Sequence, residues 1–233
     1  MIRNTVISIA AAALAFTLPC TALANDNLTL MQDLAKMISE PEPDAQVQAL
    51  FSKYPDLGTL PKSPYDIRTP INTVLDHCIS PTAGVCSPAT IRRVVEAGGD
   101  LNDVMDAMPY SMIGIALTHQ AGYGGQRAKL FEATNTRLKQ STQAMTAAAG
   151  IAALPKPATN AEFLEVLKTV LNLGVDPNGK DMSGFPLLYT ALDLGPEFAR
   201  ALMDAGADTT ETIALIEADI ANARRVQSAI NGR

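Results

Sequence analysis

Apolar residues along this chain recur mostly in steps of three and four. Phe163, Val166, Leu167, Val170 and Leu171 fall at i, i+3, i+4, i+7 and i+8, a spacing that places side chains on one face of a helix. Phe198, Ala201, Leu202 and Ala205 repeat the pattern, and Ile91, Val94 and Val95 give a shorter version. The starts of these segments are marked as well. Ser87-Pro88 sets a capping hydroxyl before a first-turn proline. Thr159-Asn160-Ala161-Glu162 has the form of a capping box, in which hydroxyl and carboxylate each accept a backbone N–H. Gly195-Pro196-Glu197 opens the last segment with a negative charge in its first turn, where the helix dipole favours it.

The chain also repeats itself. Val94-Val95-Glu96-Ala97-Gly98-Gly99-Asp100, Val170-Leu171-Asn172-Leu173-Gly174-Val175-Asp176 and Leu202-Met203-Asp204-Ala205-Gly206-Ala207-Asp208 share one ending. In each, a helix runs into a glycine suited to a left-handed cap. The aspartate that follows can accept backbone N–H groups in a turn. A second shared element starts further helices at Thr69-Pro70-Ile71, Ser111-Met112-Ile113 and Pro186-Leu187-Leu188, the last preceded by Asp181-Met182-Ser183-Gly184.

These residues resemble the ankyrin repeat, whose pattern runs D-x-x-G-x-T-P-L-H-x-A, a turn, a second helix and then G-A-D-x-N. Gly184, Leu188, Ala191, Gly195 and Gly206-Ala207-Asp208 fall in step with it, and Thr69-Pro70 matches directly. Pro186-Leu187 stands where that family has Thr-Pro, and Tyr189 where it has His. The resemblance covers residues 65–210 and implies an all-α fold, a solenoid of stacked helix pairs with short turn fingers. It places fingers at 103–108 and 179–184. Met105, Asp106, Lys180 and Met182 in these stretches are not needed for repeat packing. They are the expected partner-binding residues, because methionine adapts to a surface and neighbouring charges select the partner.

Caps and insertions complete the expected organisation. Residues 25–64 read as an N-terminal helical cap split at Pro41-Glu42-Pro43. Residues 211–233 read as a polar capping helix with Ile213, Ile216, Ile220 and Val226 facing inward. A solenoid needs such ends, since its core is otherwise open at both. The insertion at about 120–158 is expected to form a helical arm. Phe131, Leu138 and Met145 lie seven apart, and Arg127, Lys129, Arg137 and Lys139 make it locally basic. Gly122 to Lys129 reads as a flexible hinge and lacks the spacing of a phosphate-binding loop.

Composition narrows the function. The 233 residues are 47% hydrophobic, only 5% aromatic, and carry a net charge of -6. An acidic chain without any Lys/Arg block repels nucleic acid and anionic lipid. Residues 1–24 read as a signal peptide: Arg3, an apolar run from Val6 to Leu18, and Ala22-Leu23-Ala24 as the cleavage pattern. That predicts export to the periplasm, with no membrane span after removal. A lipid on Cys20 is disfavoured by Pro19 before it. Cys78 and Cys86 then remain, an even pair in an oxidising compartment, and are expected to form a disulfide on an insertion between two helices. His77 beside them makes an incomplete metal set, so no metal is expected. Neither His77 nor His119 has an obvious nucleophile partner. No enzyme activity and no cofactor are expected. The resemblance implies a non-catalytic protein-binding scaffold. The alternative is a periplasmic inhibitor or immunity protein whose acidic surface blocks a toxic envelope-acting enzyme.

Overall fold

The computed structural model describes residues 29–37, 42–62, 68–82, 84–103, 110–125 and 157–231. The expected signal peptide, Met105 and Asp106, and the arm from 126 to 156 lie outside them. The chain divides into two units, Met1–Ser39 and Glu40–Arg233. In the first, a helix over 29–37 (α1) buries Leu30, Leu34 and Met37 along one stripe.

The second unit is all-α, and no strand forms among the described residues. Its helices are α2 (Pro43–Lys53), α3 (Pro70–Ile79), α4 (Pro88–Glu96), α5 (Met112–Gly124), α6 (Asn160–Asn172), α7 (Leu187–Leu194), α8 (Pro196–Asp204) and α9 (Thr210–Asn231). The predicted caps are in place. Thr69, Ser87 and Ser111 each accept a backbone N–H from three residues on, and Thr159 and Glu162 close the capping box. The C-termini of α4, α6 and α8 end alike. Gly98, Gly174 and Gly206 sit at φ of +113°, +96° and +95°, and the next N–H returns to a carbonyl of the last turn. Only glycine takes that conformation without a Cβ clash.

Packing arranges these helices in two rows. α3 packs on α4, α5 on α6 and α7 on α8. Between pairs, α3 meets α5, α5 meets α7 and α7 meets α9, while α4 meets α6 and α6 meets α8. The core lies between the rows, where Phe163 of α6 and Phe198 of α8 stack at 6.2 Å. The predicted stripe of α6 is buried through Val170. On α8 the buried set is Phe198, Ala199 and Leu202, and Ala205 is exposed because the helix has ended before it.

A hydrogen-bond ladder joins successive pairs outside the helices. Asp100, Asp176 and Asp208 each accept the backbone N–H two residues on, at 2.8–2.9 Å. The asparagines that Asp100 and Asp176 position then reach the end of the next helix pair. Asn102 accepts from the N–H of Asp176 at 2.8 Å and donates to the Gly174 carbonyl at 3.1 Å. Asn178 accepts from the N–H of Asp208 at 2.7 Å. Asn72 of α3 plays the same part for Asp100 at 2.8 Å.

Three expectations are corrected. Cys78 lies within α3, not in an insertion, and the bridge to Cys86 is buried. Gly122 belongs to the last turns of α5 and not to a hinge. Ile213, Ile220 and Val226 of α9 are about half exposed, so that helix does not turn them inward. The reason is rotation: the side of α9 that meets the body carries Thr212, its one buried residue, and Ile213 and Ile220 lie about 100° and about 80° round the helix from it.

Candidate functional site

The turn from Gly179 to Leu187 is held by its own backbone and by one buried carboxylate. Leu187 donates to the Gly179 carbonyl at 3.1 Å and Asp181 to the Phe185 carbonyl at 2.8 Å. The Asp181 side chain, 4% exposed, accepts from the N–H groups of Ser183 and Phe185 and from the Thr190 hydroxyl at 2.6–2.9 Å. A buried carboxylate is tolerated because those three donors replace its water. Gly184, at φ +79°, lets the tip close.

Two neighbouring helices fix the turn in place. On one side Gly114 of α5 lies against the Lys180 carbonyl, where a Cβ would come within 2.2 Å of it. The Thr118 hydroxyl, also on α5, accepts from the N–H of Met182 at 3.4 Å. On the other side Lys180 pairs with Glu211 of α9, and the Tyr189 hydroxyl donates to Asp219 of α9. The tip is therefore clasped between two helices while its outer side chains face solvent.

Those side chains form an apolar patch. Met182 is 42% and Phe185 39% exposed. The Phe185 ring lies 5.2 Å from that of half-buried Tyr189. Met182 therefore stands where a partner can reach it. Lys180 is engaged by Glu211, so its charge is partly neutralised within the chain. Phe185 and Tyr189 belong to this patch although the sequence does not single them out as candidates. Tyr189 was visible only as a departure from the repeat pattern, and Phe185 lies one residue beyond the expected finger. The structure does not describe Met105 and Asp106, so it brings them neither to this patch nor away from it. The chain matches no family model, no curated protein and no solved structure.

Further chemistry is sparse among the described residues. No group of three His, Cys, Asp or Glu side chains gathers where it could hold a metal ion. Among the described residues no helix is long and apolar enough to cross a membrane. The Cys78 and Cys86 sulfurs stand at bonding distance, and the Cys86 N–H donates to the Cys78 carbonyl at 2.9 Å. His77 sits beside them with its Nε2 buried and unpaired. Burial holds its pKa below the ordinary 6.5, against the opposing pull of Asp76. The Asp208 carboxyl is held below its ordinary value by the Thr210 N–H and side chain.

Proposed function

We propose that this chain is an ankyrin-like stack of helix pairs that acts as a non-catalytic protein-binding scaffold in the bacterial periplasm. The stack is supported by the two rows of helices, the three matching glycine ends and the Asp–Asn ladder that repeats from pair to pair. Export is supported by the leader-like start of the sequence and by a buried disulfide pair, which persists in oxidising compartments.

The observation that carries the binding reading is the exposed Met182–Phe185–Tyr189 patch on a clasped turn. Aromatic side chains supply contact area at low entropic cost, methionine adapts its shape to a partner, and a turn already fixed needs no ordering on binding. The test compares the parent with a Met182→Ala, Phe185→Ala double variant, both checked for unchanged helicity and melting. A stoichiometric protein partner recovered from periplasmic extract by the parent is expected to be lost by the variant. Equal recovery by the folded variant removes the turn from the interface. Recovery of no partner by the parent overturns the scaffold reading.

A further inference from the structure

Helix α9 is much longer than α7, the helix it packs on. Its 22 residues rise about 33 Å, against about 12 Å for the eight of α7. Every residue from Glu217 to Asn231 is exposed. Along it, Ile213, Ile216, Ile220, Ala223 and Ile230 recur in steps of three, four, three and seven, with Gln227 at the skipped place. That is the spacing of a two-helix seam. Ile213, Ile220 and Ile230 are 50%, 46% and 67% exposed.

The charges of α9 are divided by halves. Glu211, Glu217 and Asp219 precede its midpoint, and Arg224 and Arg225 follow it. Glu217 and Arg224 are seven residues apart and flank the seam on one side, away from the edge that Thr212 and Asp219 turn towards the body. A helix of this kind is complementary to itself run backwards.

We propose that α9 pairs with α9 of a second copy, antiparallel, about a two-fold axis near Ala221 and Asn222. In that register Ile213 faces Ile230 of the partner subunit and Ile220 faces Ala223 of the partner subunit. Glu217 then lies beside Arg224 of the partner subunit, and the symmetry makes each of these pairs occur twice. Antiparallel pairing also sends the two bodies to opposite ends of the seam, whereas a parallel pair would crowd them at one end. The overlap is short, so the association is weak and reversible. It does not depend on the binding reading of the 179–187 turn.

Sedimentation velocity on the purified protein across about two decades of concentration tests this. The parent should pass reversibly from monomer to dimer. Ile220→Asp, which buries an unpaired charge in the seam, should weaken the dimer about tenfold or more. Glu217→Arg alone and Arg224→Glu alone should each weaken it, and the double variant Glu217→Arg, Arg224→Glu should restore it, because the two ends exchange roles. These side chains are exposed, so circular dichroism should show each variant folded. A parent that stays monomeric overturns the proposal. So does a dimer that Glu217→Arg leaves intact, or one that the double variant fails to restore, since a parallel seam or a different surface would behave that way.

Discussion

Asp181 shows how much one side chain can organise. Its two carboxylate oxygens collect three donors, and with them the shape of the turn that carries Met182 and Phe185. Cys78 and Cys86 act at the same scale. Their bridge joins the last turn of α3 to the residue before the cap of α4, inside the core. Its eight-residue separation fits a chain-entropy contribution of about 2–3 kcal/mol. His77 next to it is a buried group with no partner on Nε2. Its pKa is lowered from 6.5, so the unfolded chain takes up the proton first as pH falls. The stability it contributes is whole above 6.5 and is lost as pH drops through the lowered value. Thermal melts should therefore show the parent losing stability as pH falls below 6.5, and His77→Leu losing less of it. Equal losses in both proteins would remove His77 as the cause.

At the scale of elements, the helices are defined by their ends more than by their middles. Hydroxyl caps begin α3 to α6, and left-handed glycines finish α4, α6 and α8. What joins one pair to the next outside the core is the asparagine ladder. Asn102→Ala removes two hydrogen bonds between successive helix ends and Asn178→Ala removes one. Both sites are exposed, so water can serve the groups left behind, and the cost is the net value of the bond. Denaturant midpoints should report a loss of about 1–2 kcal/mol for Asn102→Ala and about 0.5–1.5 for Asn178→Ala. A loss below the error of the measurement in both would show that packing alone joins the pairs. Gly114 makes the complementary point, since α5 can approach the 179–187 turn only where a side chain is missing.

For the whole molecule, the described part of the second unit is a set of packed helices, with α9 exposed from Glu217 to Asn231. The rows share a core of aliphatic side chains and a single stacked aromatic pair, Phe163 with Phe198. The exposed stretch of α9 contributes little to that core, because only Thr212 of the helix is buried. Ending the chain after Ala221 should leave the melting temperature of dilute protein within about 2 °C of the parent, as for surface changes away from packed sites. A fall of more than about 5 °C would mean that the C-terminal turns pack on the body after all.

Much of this protein was legible in its sequence, because helix signals are local. Caps, first-turn prolines and glycine ends lie within a few residues of what they control, so α3 to α8 were placed from Ser87-Pro88, Thr159 to Glu162 and their counterparts. The repeating Gly-x-Asp endings also marked where one pair gives way to the next. Exposure was not local. Ile213 and Ile220 read as an inward face, and the way α9 is rotated against the body, with Thr212 inward, leaves them open. The exposed patch on the 179–187 turn was divided in the same way. Met182 could be named from its place beside Gly184, while Phe185 and Tyr189 joined it only when the Asp181 turn closed and brought the two rings together. Lys180 looked like a free charge until α9 brought Glu211 to it across 31 residues of chain. Local chemistry chose the helices, and the distances between them decided which side chains were left for a partner.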